Sequence, residues 1–253
     1  MKNNKTFVLF GRLMRHILRS PDTIITVAIM PIAIMLMFVY VLGGAIKTSI
    51  GEDMNYVSYL LPGILLMAIA SGVSYTAYRM FQDVQKGIFQ RLNSMPISRS
   101  SALWGHVLTS LVSNMITVAV VFIVGFIMGF RSGAGILSWL AVFGILVLFT
   151  LALTWIAVIP GITAKSMEGA SAFAYPLIYL PFISSAFVPT ATMPSVVRVF
   201  AENQPVTSIV NTIRALLNSQ PVGNDIWIAL AWCAGIGGLF WFLSVRVYKK
   251  RQR

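Results

Sequence analysis

The sequence predicts an all-α membrane protein with six transmembrane helices. Of its 253 residues, 57% are hydrophobic and only 10% are charged, whereas soluble domains carry about 25% charged residues. Several apolar stretches are roughly 20 residues long, which is the helix length needed to cross a hydrocarbon core of about 30 Å. The short alternating segments that are typical of a membrane β-barrel do not occur in the sequence. A helical bundle in a bilayer is therefore the predicted class.

Six apolar segments define the predicted transmembrane domain, which covers residues 23–253. The fifth segment is the least regular, because Pro176 and Pro181 each remove a backbone donor and kink a helix. Membrane helices tolerate such prolines where neighbouring helices satisfy the freed carbonyl groups. The predicted spans lie at about 24–46, 56–77, 102–130, 136–159, 170–188 and 226–247.

Residues 1–22 form a separate N-terminal element. Apolar residues recur there at helical spacing, while Arg12 and Arg15 lie on the opposite face. The pattern predicts an amphipathic helix in the membrane interface, with its basic face toward anionic headgroups. The alternative is a solvated cytoplasmic helix that packs on a partner protein. The apolar positions are Phe10, Leu13, Met14, Ile17 and Leu18.

Lysine and arginine residues favour one side of the membrane. Fifteen of the nineteen fall in the N-terminal element, the second-to-third loop, the fourth-to-fifth loop and the C-terminal tail. Cytoplasmic loops carry the excess of basic residues, so both termini are predicted to be cytoplasmic. The net charge of +12 then reflects topology and does not indicate a nucleic-acid partner. The four basic residues on the external side are Lys47, Arg131, Arg198 and Arg214.

Several kinds of chemistry are absent from the sequence. No Gly-Lys-Ser or Gly-Lys-Thr occurs, so the chain has no P-loop for nucleotide hydrolysis. His16 and His106 are isolated in the sequence, so each is predicted to be an interfacial or packing residue. Cys233 has no partner within the chain for a disulfide or a metal site. The seven acidic residues lie in loops or at span ends, whereas ion-coupled transporters carry an ionisable group near the membrane centre. The sequence therefore predicts no catalytic residues, no metal site and an external energy source.

Two connections are too long to be plain turns. The cytoplasmic stretch 79–101 carries one apolar helical stripe, and Pro96 ends the predicted helix. The external stretch 189–225 carries a second amphipathic pattern, with Ile209 and Ile213 on its apolar face. We expect the external helices to dip back into the membrane or to pack on the bundle. The cytoplasmic stripe consists of Val84, Ile88, Leu92 and Met95.

The cytoplasmic stretch from Asp83 to Arg99, DVQKGIFQRLNSMPISR, resembles a signature of ABC-2-type permeases, and more closely the daunorubicin-resistance-type exporters. That pattern has an acid, a glycine four residues later, Arg-Leu, and a small-x-Pro-Ile-x-Arg turn. Gln90 stands where the family usually has an acid, so the ATPase contact is expected to differ in detail. Further matches are YLLPGI at 59–64, SSAFVP at 184–189, MP at 193–194, NQPV at 203–206 and IRAL at 213–216. The resemblance covers essentially the whole chain.

The resemblance implies a permease subunit in a bacterial cell membrane that forms a dimer with a second permease copy. Two copies of a separate ATPase subunit would supply the energy, and ATP and Mg²⁺ would bind on that partner, with no cofactor on this chain. The resemblance does not choose one substrate, but the lack of charged groups at the membrane centre predicts a hydrophobic, amphipathic or lipid-linked one, as in multidrug resistance. The residues implied to couple to the ATPase are Asp83, Gly87, Ile88, Arg91, Leu92 and Pro96.

Two further residue sets are predicted along the route of the substrate. Residues of the second and fifth spans are the predicted dimer-facing surface, because the resemblance places those spans near the central path. The external segment is a candidate gate, and a structural cap on the helix ends is the alternative. The substrate path consists of Met67, Ser71, Tyr175 and Tyr179, and the gate of Phe187, Pro189 and Phe200.

Two other functions remain open from the sequence. A membrane-embedded lipid-modifying enzyme would need clustered acids, histidines or a paired serine at one membrane level, and none is visible in the sequence. A sensor or immunity protein with the same fold would share every feature above. An adjacent gene for a Walker-type ATPase would favour the permease.

The predicted orientation is testable by cysteine labelling in intact cells. Glu52→Cys and Asn218→Cys should react with a membrane-impermeant thiol reagent, whereas Gln85→Cys should react only after lysis, because basic residues set the cytoplasmic side. Labelling of position 85 from outside would reverse the orientation.

Overall fold

A computed structural model describes residues 21–43, 55–89 and 99–251, together with Gly11 and Met14. All regular elements in these ranges are helical. The long helices are α1 (Pro21–Leu36, continued by a π-helical turn at Met37–Val41), α2 (Tyr56–Gln85), α3 (Arg99–Ile127), α4 (Ile136–Thr163) and α9 (Asp225–Arg251). The short ones are α5 (Met167–Ser171), α6 (Ala174–Tyr179), the 3₁₀ turns Leu180–Ile183 and Thr190–Thr192, α7 (Ser195–Asn203) and α8 (Pro205–Leu217).

Five helices in the described part of the chain are long and apolar enough to cross a membrane. They correspond to the predicted spans one, two, three, four and six. The predicted fifth span, 170–188, is not one continuous helix, so the prediction of six spans is confirmed only in part. Pro176 lies in the first turn of α6 and Pro181 in the first turn of the 3₁₀ segment, where a missing N–H does least harm. Each proline thus begins a new short helix. The candidate spans are Ile25–Leu42, Tyr56–Gln85, Leu103–Ile127, Ile136–Thr163 and Asp225–Lys250.

Two predicted elements fall largely or partly outside the described residues. Of residues 1–22, only Gly11, Met14, Pro21 and Asp22 are described, and all four are helical. Residues 90–98 of the cytoplasmic stretch are not described. The external stretch contains α7 and α8, and α8 lies where the sequence predicts the amphipathic helix, whereas α7 was not predicted.

Helix α2 is the centre of the bundle. It is buried without interruption from Tyr56 to Ala70, because α1, α3, α4, α6 and α8 all pack against it. The side chain of Asn55 caps its start by accepting a hydrogen bond from the Val57 N–H at 3.0 Å. The same side chain donates to the Gly129 carbonyl at 3.0 Å, just after α3. The start of α2 and the end of α3 therefore share one end of the bundle, here called the external end after the orientation that the basic residues predict.

Small residues let the helices approach one another closely. A Cβ added to Gly63 would lie 2.5 Å from the Cβ of Ala186, and one added to Gly161 would lie 3.0 Å from the Cβ of Met80. Such contacts replace the hydrophobic driving force that is missing between helices in lipid. They fix the segment after α6 and the end of α4 against α2.

Helices α4 and α9 run in the same direction. Gly237 lies against Ala152, the Ser244 hydroxyl donates to the Trp155 carbonyl at 3.0 Å, and Tyr248 shares an apolar cluster with Ile162. Both helices therefore end at the end of the bundle opposite the external end, here called the cytoplasmic end. The chain between them must return to the external end before α9 begins.

Close packing at Gly63 generates a stability prediction. Gly63→Ala should destabilise the folded protein by about 1–3 kcal/mol, because the new methyl group meets the Ala186 methyl on a constrained backbone. Gly144→Ala in α4 is the matched control, because a Cβ added to Gly144 would have no neighbouring atom within 4 Å. This substitution should be neutral or stabilising. The measurement is the thermal unfolding midpoint in detergent. Equal midpoints for the two variants would contradict the packing.

Candidate functional site

A groove with a volume of about 470 Å³ lies between α1, α2 and the α5–α6 segment. Its polar wall is one face of α2, because Ser71, Ser74, Tyr75 and Tyr78 recur at i, i+3, i+4 and i+7. Its apolar walls come from the neighbouring elements. The remaining lining residues are Thr26, Val27, Met30, Ser171 and Ile178.

Hydrogen bonds and ring contacts hold the polar wall of the groove in place. The Ser74 hydroxyl donates to the Ser171 carbonyl at 3.3 Å, which ties α5 to α2. The Gln82 amide donates to the Tyr78 hydroxyl at 2.8 Å. The rings of Tyr75 and Tyr78 stack at 5.6 Å, and the Arg79 guanidinium lies 5.1 Å from the Tyr75 centroid. The wall therefore presents hydroxyl groups and aromatic faces together.

Three phenylalanines lie between the groove and the external end. The Phe187 ring lies 4.8 Å from both the Phe38 ring and the Phe182 ring, centroid to centroid. Phe38 follows Met30 by eight residues, roughly 12 Å further along the helix, and Phe182 follows Ile178 by four. We call Phe38, Phe182 and Phe187 the aromatic plug. Phe38 belongs to the π-helical turn, a distortion that often marks functional positions.

A buried arginine lies behind the aromatic plug. Arg214 of α8 is only 9% exposed and donates to the Tyr59 carbonyl at 2.9 Å, the Ser185 carbonyl at 2.7 Å and the Ala186 carbonyl at 3.3 Å. Its guanidinium also donates to the Asn211 side-chain oxygen at 3.2 Å. The Tyr59 ring lies beneath the guanidinium at 3.8 Å. Arg214 thus joins α8, the start of α2 and the segment after α6.

Backbone dipoles and an aromatic face compensate the Arg214 charge. No carboxylate of the described residues forms an ion pair with it. Burial lowers the pKa of Arg214 to about 10, so the guanidinium remains charged at neutral pH. Its α8 position lies outside the five candidate spans.

A second polar pair lies at the cytoplasmic end. His106 of α3 contacts Asp83 of α2, with 3.3 Å between Nε2 and Oδ2. The His106 ring stacks on Phe89 at 5.8 Å, and Phe89 meets Tyr248 edge-on at 5.9 Å. Gly87, with φ of 67°, turns the chain between Asp83 and Phe89. Both flanks of the cytoplasmic loop are thereby joined to α9.

Comparison with known proteins identifies the family. Residues 4–218 match the family model described as ABC-2 type transporter, which is well over half of the chain. The chain belongs to the ABC-2 type transporter family. ABC-2 permeases are membrane subunits of ABC transporters and are not themselves enzymes, and the family implies pairing with an ABC ATPase subunit. The resemblance found in the sequence is confirmed.

Two relatives of this ABC-2 permease are named as permeases of drug-resistance ABC transporters. It is 27% identical to a daunorubicin resistance ABC transporter permease protein of Streptomyces coeruleorubidus, over 98% of this chain and 87% of the relative. It is 26% identical to a probable doxorubicin resistance ABC transporter permease protein of Mycobacterium tuberculosis, over 92% of this chain and 83% of the relative. A putative transport permease of Cyanophora paradoxa is 25% identical over 83% of this chain and 73% of the relative. The chain is therefore a membrane permease of the ABC exporter type.

The residues predicted to couple to the ATPase are described only in part. Asp83 pairs with His106, Gly87 adopts the left-handed conformation, and Ile88 is half-buried beside the fully buried Phe89. The assignment of these residues to an ATPase contact stays a prediction. The others, Arg91, Leu92 and Pro96, lie outside the described residues.

The predicted substrate path is not one surface in a single copy of the chain. Met67 is 1% exposed in the core, whereas Tyr175 and Tyr179 are 61% and 56% exposed. Ser71 lines the groove.

The predicted gate residues also separate. Phe187 belongs to the aromatic plug, Pro189 is half-buried, and Phe200 of α7 is 52% exposed. Their roles in transport stay predictions.

Two residues of the site were not predicted. Arg214 was counted only as an external basic residue, and His106 as an isolated packing residue. A signal for Arg214 was present, since it lies next to the apolar stripe of α8 in a helix that otherwise offers no charge. For His106 the sequence offered one signal. It lies about one turn inside the predicted third span, and Asp83 lies on the other side of the cytoplasmic loop, near the end of the second span.

Proposed function

We propose that this ABC-2 permease exports an amphipathic, hydrophobic or lipid-linked substrate through the groove between α1, α2 and the α5–α6 segment. A separate ATPase subunit, in two copies, supplies the energy and binds ATP and Mg²⁺. A second permease copy completes the membrane part. The observation that carries the proposal is the row of hydroxyl and aromatic groups on one face of a membrane helix, beside an apolar wall.

The composition of the groove favours an amphipathic cargo. Its volume of about 470 Å³ falls in the range of small-molecule sites, about 300–1,000 Å³. Tyr75 and Tyr78 offer large contact area with a polar tip, and Met30 adapts to varied shapes. The lining residues include no acid and no base, so a small hydrophilic ion would lose its hydration without gaining a charged partner.

We further propose that α5, α6 and the following 3₁₀ turn make a broken fifth crossing. Ser171 lies at the level of Ser74, and Ala186 lies at the level of Gly63, so this segment travels along α2 toward the external end. The shared direction of α4 and α9 requires such a return. Six crossings put both termini in the cytoplasm, in agreement with the distribution of basic residues.

In this proposal the aromatic plug is the external gate. It lies between the groove and the external end and joins α1 to the segment after α6 through Phe38, Phe182 and Phe187. Separation of the three rings would open the groove outward. Pro189 and Phe200 belong to the surrounding external segment.

The cytoplasmic end is the proposed site of coupling to the ATPase. The Asp83–His106 contact and the stack of His106 on Phe89 hold both flanks of the loop in a fixed relation. A push on the loop would therefore move α2 and α3 together. The loop residues Arg91, Leu92 and Pro96 complete the proposed docking element.

The coupling proposal is tested at His106. His106→Phe keeps the ring stack on Phe89 but loses the Asp83 contact, so ATP-driven export should fall roughly three- to tenfold while membrane insertion is unchanged. His106→Gln, which still donates to Asp83, should recover most of the rate. The measurement is export per inserted permease in vesicles with the ATPase. Full activity of His106→Phe would leave the contact with a packing role only.

The substrate proposal is tested by ATP hydrolysis of the complex in lipid vesicles. A panel of amphiphiles should stimulate hydrolysis, whereas sugars and inorganic ions should not. Ser71→Leu narrows the groove, and we expect the amphiphile concentration for half-maximal stimulation to rise about tenfold, a loss of roughly 1.4 kcal/mol. If only small hydrophilic solutes stimulated ATP hydrolysis, the substrate proposal would be wrong.

A matched control separates the groove from general damage. Ser113→Leu makes the same change in α3, at a half-buried position that does not line the groove. It should leave the half-maximal concentration unchanged. A rise equal to that of Ser71→Leu would mean that the groove is not the route.

A further inference from the structure

We propose that Arg214 is a positioning residue that holds the aromatic plug closed and gives up its carbonyl contacts when the plug opens. The inference rests on the proposed export function, since it names the element that controls the external gate. Arg214 forms no hydrogen bond with a described lining residue of the groove and acts through the segment that carries Phe187.

The position of Phe187 depends on a short segment without regular helix. Residues 184–188 follow the 3₁₀ turn, and side chains of α8 contact them from one side. Within the segment, the Ser184 hydroxyl donates to the Pro181 carbonyl and accepts from the Ala186 N–H. Arg214 donates hydrogen bonds to the carbonyl groups of Ser185 and Ala186. The Ser185 hydroxyl donates to the Asn211 side-chain oxygen at 2.7 Å. On the other side Ala186 rests on Gly63. Phe187 is the next residue, so its ring is placed by these contacts.

The Tyr59 carbonyl and ring connect the same arginine to α2. Two of the guanidinium nitrogens donate to that carbonyl, at 3.1 and 2.9 Å. One side chain therefore fixes the plug segment relative to the helix that forms the polar wall of the groove. If the Tyr59 carbonyl moves away, the support of Ser185 and Ala186 is lost with it.

The chemistry of the contact suits a latch that opens. Arg214 is held by neutral carbonyl dipoles and a ring face, and no ion pair with a carboxylate is found for it among residues 21–43, 55–89 and 99–251. The attraction of a charge to a dipole falls off faster with distance than the attraction between two charges. A small displacement therefore releases the contact, whereas a carboxylate would hold it over a longer range.

The test uses a cysteine at Ser184, which is 0% exposed and lies three residues before Phe187. The only native cysteine, Cys233, is buried. Ser184→Cys should react slowly with an impermeant maleimide in vesicles. Adding Arg214→Lys, which keeps the charge but cannot reach all three carbonyls, should speed labelling about tenfold.

Asn211→Asp provides a variant of opposite sign. It keeps both hydrogen bonds of Asn211 and adds a carboxylate beside Arg214. In vesicles with the ATPase, MgATP should accelerate labelling of Ser184→Cys, and Asn211→Asp should suppress that acceleration. A merely structural arginine would show no response to MgATP. This arm also keeps the test decisive where Arg214→Lys does not fold.

Arg131→Lys is the matched control, because Arg131 also donates to two carbonyls at the external end, those of Phe126 and Phe130, without touching the plug segment. It should leave labelling unchanged. The proposal would be overturned if Ser184→Cys were labelled at the same rate with and without Arg214→Lys. It would also be overturned if MgATP did not change the labelling rate while the complex hydrolysed ATP. The labelling without MgATP needs neither substrate nor ATPase, so a failure of the export proposal would be seen separately, as absent amphiphile stimulation.

Discussion

A polar group that lies inside the hydrocarbon must find its partner within the protein, because no water is present to satisfy it. This constraint explains why the broken fifth segment lies against α2, where side chains of neighbouring helices can satisfy its backbone groups. The Ser74 hydroxyl satisfies the Ser171 carbonyl, and Arg214 satisfies those of Ser185 and Ala186. The irregular backbone is thus served by side chains of its neighbours. The same side chains define where the groove begins and where it closes.

The constraint also divides the bundle into a stiff part and a loosely held part. Thr76 of α2 donates to Ser110 of α3 at 2.8 Å, and Ser110 meets Thr154 of α4 at 3.1 Å. These hydroxyl contacts join three helices within their candidate spans, where lipid offers no competing hydrogen-bond partner. Residues of α1 such as Met35 and Ile32 pack in the apolar core, and α5 is tied to α2 through Ser74. The groove therefore lies between a wall that belongs to a hydroxyl-linked set of helices and two walls formed by neighbouring elements.

Most of the fold could be predicted from the sequence, because hydropathy and span length are local properties. The prolines at 176 and 181 indicated that the fifth segment is irregular, yet not that it divides into short helices supported by α2. Arg214 could not be assigned a partner, since Tyr59 is 155 residues away and offers a backbone carbonyl that no motif records. The Asp83–His106 contact was missed for a similar reason: it joins the two flanks of a loop, and a lone histidine in a span carries no partner in its own neighbourhood. Met67 and Ser71 were predicted to share one surface, but Ser71 lines the groove whereas Met67, one turn away on the same helix, is buried in the core. The sequence could not show this, because the direction that a helix face takes depends on its neighbours.

One helix links every part of the proposed transport route. The first turns of α2 carry the Tyr59 carbonyl that Arg214 grips, its middle carries the hydroxyl wall of the groove, and its last turns carry Asp83. A helix of 30 residues is about 45 Å long, and hydroxyl contacts to α3 and α4 make this one part of a stiff unit. A displacement at the cytoplasmic loop is therefore transmitted along α2 with little loss. In the proposed mechanism, a shift of α2 that lengthens the Arg214 contacts would release the plug segment, because an attraction between a charge and a dipole weakens quickly with distance. Energy applied at the cytoplasmic end would then reach the proposed gate through α2 and would need no charged group among the described lining residues of the groove.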